Sequence, residues 1–370
     1  MFFIIITIVY IVPLIYVFFR VKHHFILKNH LLVYSLAFLI LALLYPLTNF
    51  FLDGFFETLS GDILIIGSYS AVFFLYILLS ILLFDIFLLF NRFLHLVPRP
   101  VIKSRRYQLR GLLIITALSL AVLIGGIIHF NTIRTTRYQI QIPGASSRLD
   151  HMKIAFIADF HLQSKTNVAF VERMVKKINA IKPDLMLFGG DIVEGDGDEG
   201  KIPQFEKLIR QIKSKYGSFG VIGNHEIYGG DETHEFFKKA GIQLLKDTGI
   251  VINKSVNLIG RYNQHIRDRK SPQELLRQNN ESLPVIMLDH RPTRIADISK
   301  TRVDIQLSGH THNGQLFPFN LITQSIYPIS WGYEEINNTH FFVTSGIRLW
   351  GPPVRTAGVS EILVIDVKFR

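Results

Sequence analysis

Four stretches of the first 130 residues, 2–19, 31–52, 63–90 and 112–130, run almost free of charged side chains. About 20 apolar helical residues suffice to cross a hydrocarbon core of roughly 30 Å. Soluble core helices rarely continue that far without a charge, so the amino-terminal third predicts a four-helix transmembrane region. No basic residue precedes the first stretch and no small-x-small site follows it, which predicts an uncleaved span rather than a signal peptide. A mean hydropathy of +0.29 and only 19% charged residues exclude a wholly soluble or disordered chain. Residues 1–150 carry 12 Lys and Arg against 5 Asp and Glu, whereas residues 151–370 carry 28 against 24. The second part has the balance of an ordinary globular domain and the length to bury a full core. With no cysteine, disulfides, thiolate metal sites and Cys nucleophiles are excluded.

The loop between the first two stretches holds Arg20, Lys22 and Lys28, and that between the last two holds Arg92, Arg99, Lys103, Arg105, Arg106 and Arg110. The positive-inside rule puts both in the cytoplasm. Asp53, Glu57 and Asp62 occupy the middle loop, so residues 131–370 are expected on the extracytoplasmic side of a multi-pass cell-membrane protein. Positive charge placed this way serves topology, and no nucleic acid partner is expected. Asp85 lies in the third stretch, but residues 63–84 already suffice to span. It is expected at the cytoplasmic interface near Arg92 rather than in a transport pathway.

Beyond a polar connector over 131–150, short apolar runs alternate with amphipathic helical patterns: a strand over 154–158, a helix over 167–181, a strand over 185–188, a helix over 204–214 and a strand at 221–222. Strands follow over 285–288, 305–307, 341–343 and 362–367, with a helical stretch at 275–278. This alternation predicts a mixed α/β domain over 151–370. Five of the strands are followed by chemistry-bearing residues: Asp159-Phe160-His161, Gly189-Gly190-Asp191, Gly223-Asn224-His225-Glu226, Asp289-His290 and Gly309-His310-Thr311-His312. One such fragment is ordinarily a capping or solvated turn. Five in order point to one crevice at the carboxyl ends of the strands. The other histidines, such as His23, His129 and His265, have no such setting and read as surface, interfacial or core residues.

Imidazole nitrogen with carboxylate and amide oxygen, and no thiolate, suits divalent Mn, Fe or Zn. The set is too large for one tetrahedral site and predicts two ions sharing a carboxylate, with Asp191 the candidate bridge. A hydroxide shared by two such cations is a nucleophile at neutral pH, and the same cations neutralise the oxygens of an attacked phosphorus. The expected reaction is phosphoester hydrolysis.

The motif order D-x-H, G-D, G-N-H-[D/E], H, G-H-x-H over residues 150–370 resembles the calcineurin-like metallophosphoesterase superfamily. Residues 308–315 and 350–355 are similar to its membrane-associated bacterial phosphohydrolase branch. The resemblance implies a four-layer α-β-β-α sandwich. It implies Asp159, His161, Asp191 and His312 on one ion, and Asp191, Asn224, His290 and His310 on the other. Asp191 and His225 are then the expected catalytic residues: His225 stands outside the metal shell and protonates the leaving oxygen, and Glu226 is the candidate to orient it. Arg261 and Arg355 are candidate phosphate clamps, set against a structural role for each. Tyr262 and Asn263 stand where relatives in this branch often carry acids. The apolar residues of 316–333 are expected either to line an entrance for a lipid-linked phosphate ester or to fill core beneath the site. The rival reading is a non-enzymatic membrane receptor or scaffold that keeps the domain for binding, against which the intact His225 argues. A transporter with a regulatory domain has little machinery in these spans.

Overall fold

The computed structural model describes residues 10–48, 61–143, 147–163, 166–194, 200–229 and 231–370. They form two compact units, Met1–Ile128 with Gly351–Val354, and His129–Trp350 with Arg355–Arg370.

The first unit contains helices α1 (Val12–Phe25), α2 (Leu31–Pro46), α3 (Gly61–Leu94) and most of α4 (Arg105–Asn131). Among the described residues three helical segments, not the expected four, are long and apolar enough to cross a membrane: Lys28–Pro46, Ile65–Leu94 and Arg105–Asn131. The expected first span, 2–19, lies partly outside the described residues. Its described helix α1 has 14 residues, about 21 Å at 1.5 Å per residue, which falls short of the hydrocarbon thickness. Residues 49–52 of the second span and the loop with Asp53 and Glu57 also lie outside. Val17, Val21, Phe25, Ile81 and Ile115 pack together where α1, α3 and α4 meet. Asp85 is paired with Arg20 of α1, not with Arg92. Arg20 Nε donates to Asp85 Oδ2 at 2.8 Å, and the Tyr16 hydroxyl donates to the same oxygen. A carboxylate among apolar helices needs such partners, because an unpaired charge there costs far more than the pairing.

In the second unit two six-stranded sheets stack. One has the order β1 (Arg134–Ile142), β12 (Glu361–Phe369), β2 (His151–Ile157), β3 (Leu185–Phe188), β4 (Ser218–Gly220), β5 (Gln243–Leu244). The other runs β10 (Gly332–Ile336), β11 (Thr339–Val343), β9 (Ile305–Ser308), β8 (Val285–Leu288), β7 (Val256–Gly260), β6 (Thr248–Ile252). Both are mixed. Period-two alternation sorts each strand's side chains between two cores. Ile154, Phe156, Leu185, Leu187 and Ile365 meet Leu258, Ile286, Leu288, Leu307 and Phe342 between the sheets. Ala155, Ile157, Met186 and Phe188 face outward against the helices instead.

Helix α5 (Val168–Ile181) covers that outward face because Phe170, Val171, Met174, Val175, Ile178 and Ile181 recur at helical spacing, and Asn167 caps its first turn. Phe205 and Ile209 of α6 (Ile202–Ile209) join the same layer. On the far side, α9 (Pro272–Arg277) and α10 (Ile295–Ile298) pack Leu275, Leu276, Ile295 and Ile298 against Ile259, Met287 and Phe341. Each fully buried Leu, Ile or Phe contributes about 1.5–3 kcal/mol, so the layers rest on apolar burial and leave the strand ends for polar work. The expected connector contributes a strand: β1 pairs in parallel with β12, with Arg134 opposite Glu361 and Ile142 opposite Phe369. Strands β5, β6, β7 and β10 were not anticipated either.

Candidate metal centre

Strands β2, β3 and β4 are adjacent and parallel, with Ile157 opposite Phe188 and Phe188 opposite Gly220, so their following loops leave one edge of the sheet together. In the second sheet β8 and β9 run parallel with Leu288 opposite Leu307, which does the same for the loops of His290 and His310. The β2 and β3 loops stay in step past the strands. Asp159 N donates to Gly190 O at 2.9 Å, and Phe160 N and His161 N both donate to Asp191 O at 2.7 and 3.0 Å.

Cross-links then join the two sheets at the rim. His310 N donates to both carboxylate oxygens of Asp159 at 3.0 Å, and His290 Nδ1 donates to Gly189 O at 2.8 Å. Gly190, at φ +94°, permits this closeness: a Cβ there would stand 2.6 Å from Gly223 N. Asp159, His161, Asp191, His310 and His312 all adopt left-handed backbone, with φ between 49° and 72°. Each costs of order 1 kcal/mol or more and persists because the surrounding bonds over-determine it.

Three groups of side chains bring ligand atoms within 4.8 Å of one another: Asp159, His161 and His312; His161, Asp191 and His225; Asp191, His290 and His310. Asp191 and His161 each belong to two of them. The sequence candidates Asp159, His161, Asp191, His225, His290, His310 and His312 are thus brought together, and Asn224 begins α7 (Asn224–Tyr228) beside them.

The donor chemistry fits cations here. His290 Nδ1 must carry a proton to reach a carbonyl, and its Nε2 lies 3.2 Å from His310 Nδ1 and 3.1 Å from Asp191 Oδ2. Burial lowers this ring, but Asp191 beside it prevails and raises it to about 10, so a protonated His290 faces the carboxylate. His161 directs Nδ1 at the Glu194 carboxylate and faces His312 Nε2 with its own Nε2 at 3.2 Å. The Asn224 Oδ1 is buried with no hydrogen-bond donor among the described residues. The His310 and His312 rings and the Asn224 oxygen, converging beside the Asp159 and Asp191 carboxylates, offer donors to a cation, which would take the place of the His290 Nε2 proton. Burial pushes His310 down to about 3 and His312 well below its ordinary value, keeping both rings neutral as ligation requires. Burial would raise Asp191, but His290 beside it outweighs burial and holds the carboxyl far below the usual range.

Glu194, three residues after Asp191, was not singled out from sequence. One of its oxygens takes His161 Nδ1, and the other takes His225 Nδ1 at 2.7 Å. Burial raises its carboxyl, yet the two imidazoles prevail and bring it down to about 2. His225 is lowered by burial but raised on balance, first by the Glu194 hydrogen bond and then by Asp191. Glu226, expected to orient His225, does something else. Its carboxylate accepts backbone N–H groups of Asp191, Ile192, Val193 and Gly223, the first at 2.9 Å and the last at 2.7 Å, and so ties the β3 and β4 loops together. Neighbours at i and i+1 on a helix do not face each other.

The two arginines are also committed elsewhere. Arg261 Nη1 donates to Asp289 Oδ2 at 2.6 Å, with Arg269 on the other oxygen. Arg355 is fully buried and donates to the carbonyls of Ser345 and Arg348. At the mouth stand the exposed Tyr228 and Trp350, with ring centroids 5.9 and 6.4 Å from that of His225.

Residues 152–314, which include every candidate ligand, match the family model described as calcineurin-like phosphoesterase. Over those residues the chain is similar to calcineurin-like phosphoesterases. An uncharacterized metallophosphoesterase of Helicobacter pylori is 34% identical to it over 57% of this chain and 58% of that protein. One of Aquifex aeolicus is 28% identical over 67% of this chain and 98% of that protein. A Danio rerio protein described as a transmembrane protein with metallophosphoesterase domain is 27% identical over 62% of this chain and 56% of its own length. The chain thus spans a little under three fifths of the Helicobacter relative that it matches. The family match ends at Gly314, so residues 315–370 lie outside it.

Proposed function

We propose that the chain is a membrane-anchored phosphoesterase that hydrolyses a phosphomonoester or phosphodiester with two divalent cations, Mn, Fe or Zn. The observation that carries this reading is the sharing of Asp191 between ligand groups, one with His161 and one with His290 and His310. Asp159, His161, Asp191 and His312 would hold one cation, and Asp191, Asn224, His290 and His310 the other. Residues 1–130 serve as the anchor; counting residues 2–19, whose start lies outside the described residues, as a fourth span beside the three long apolar helices, the basic loops favour an extracytoplasmic domain. When bound, the cations supply Lewis acidity toward phosphate oxygens and lower the pKa of water toward neutrality.

The remaining work falls to side chains. Glu194 fixes the rings of His161 and His225 through their Nδ1 atoms. His225 then keeps one proton on Nδ1 and carries the mobile proton on Nε2. Its raised pKa favours that protonated form, so Nε2 is suited to protonate the departing oxygen, a contribution of about 10²–10⁴ in rate. The left-handed ligand backbones hold the donors in place before substrate arrives, which limits reorganisation during reaction.

Among esters, a lipid-linked one is favoured. Of the apolar residues in 316–333, Leu316 and Ile329 are buried, whereas Phe319, Leu321, Ile322, Ile326 and Trp331 are exposed, so most of this segment does not fill core. The test is hydrolysis of a chromogenic phosphodiester by the full chain in detergent with added Mn, together with metal content. Absence of turnover with two ions bound would overturn the enzymatic reading and leave a receptor or scaffold.

A further inference from the structure

Helix α11 (Phe319–Ile326) buries none of its side chains. Its pattern is inverted. Phe319, Ile322 and Ile326, at i, i+3 and i+7, form one stripe that is 40, 54 and 64% exposed, with Leu321 beside it at 55%. Asn320 and Thr323, on the flank beyond Phe319, are the half-buried ones, and Asn320 Oδ1 is buried without a donor among the described residues. A surface helix of a water-soluble domain does the reverse. A contiguous apolar face of this kind marks an interaction surface.

The helix is built onto the loop of two candidate ligands. A Cβ on Gly314, two residues after His312, would stand 2.4 Å from Asn320 N. After the helix, the ring centroid of Tyr327 lies 6.2 Å from that of His310, and its hydroxyl accepts from Arg291 Nη2 at 3.1 Å. Whatever covers α11 therefore borders the metal centre.

Covalent structure selects the occupant. Strand β1 of this domain begins two residues after α4, a 27-residue apolar helix. The domain is thereby tethered at the surface of whatever bilayer that helix crosses. At about 12 Å, α11 is too short to span, but a helix of this kind can lie in the interface with its apolar face buried about 5–10 Å deep.

We propose that α11 inserts its Phe319, Ile322 and Ile326 stripe into the bilayer that holds the chain, setting the metal centre at headgroup level with a membrane-lipid phosphate ester as its substrate class. The substrate part rests on the phosphoesterase reading; the insertion does not.

The chain has no cysteine, so single cysteines label cleanly. Ile322→Cys and, separately, Ile326→Cys carry an environment-sensitive fluorophore in the full chain reconstituted into phosphatidylcholine and phosphatidylglycerol vesicles. Lys176→Cys on the exposed face of α5 is the control. Insertion predicts quenching by doxyl-labelled phosphatidylcholine and protection from iodide at 322 and 326, with the opposite at 176. Iodide quenching at 322 and 326 overturns it. So does protection from both quenchers with a 322–322 disulfide between chains, which would identify a second copy as the occupant. In a second arm, Ile322→Glu lowers turnover of vesicle-embedded phosphatidic acid and leaves soluble chromogenic diester turnover unchanged; equal loss on both overturns the substrate class. If the parent chain turns over neither substrate, the phosphoesterase reading fails while the quenching still decides insertion.

Discussion

Around the half-buried Asp85 and the buried Asp191 the chain handles a carboxylate in two different ways. Asp85 is neutralised on the spot by Arg20 and Tyr16. Asp191 accepts from the His225 backbone N–H and faces the protonated His290 Nε2 at 3.1 Å, with the neutral His310 ring turned toward the same space. The first arrangement is closed and needs nothing further. The second is held by an imidazolium proton that a cation can replace. What separates a structural carboxylate from a ligand is therefore whether its partner can give up a proton: the Arg20 guanidinium keeps its charge, whereas the His290 imidazolium can release its proton to make way for a metal.

The largest effect expected from that contrast is at Asp191. Asp191→Asn, or His310→Ala, should abolish diester turnover and metal content together, measured by a chromogenic assay and elemental analysis; retention of both ions would break the comparison. His225→Ala should keep the metal and lose about 10²–10⁴ in rate. Equal loss of metal in that variant would mean that His225 is a ligand.

Glu194→Gln should cost less, about 10–100-fold as for other outer carboxylates behind ligating histidines, and should alter the pH profile. His225 is raised on balance, so the rate that needs its proton is kept below the shifted pKa and lost as pH rises through it. Removing the Glu194 carboxylate lowers that pKa and should move the alkaline limb to lower pH. An unmoved limb would assign the proton to another group. The smallest effect on turnover is expected from Asp85→Ala, which strands Arg20 and should lower the thermal midpoint of the detergent-solubilised chain while leaving diester turnover intact.

The ligand fragments could be read without coordinates because each directly follows an apolar run, and parallel pairing carries such fragments to one edge. Glu194 could not, since its partners His161 and His225 come from the β2 and β4 loops and only the fold brings them to it. The signal that was available is its position three residues after Asp191 in the same loop. Glu226 misled for the opposite reason: adjacency to His225 in sequence suggested contact, whereas the helix sends the two side chains apart. Strand β1 was passed over because Arg134-Thr135-Thr136-Arg137 has the polar look of a linker, and its partner β12 lies more than 200 residues away. In the membrane unit, length and charge announce spans but carry no information on pairing. Arg20 and Asp85, 65 positions apart, gave no mutual signal.

Strand β12 is held between β1 and β2, with a consequence for how the protein is made and cut. The first sheet cannot close until residues 361–369 have left the ribosome, long after α4 has had the chance to enter the bilayer. The domain of residues 129–370 must therefore wait, its first sheet unfinished, until the end of synthesis. A soluble fragment started at residue 151 would omit β1 and leave the flank of β12 bare, inviting sheet-to-sheet aggregation; one started before Arg134 keeps that flank covered.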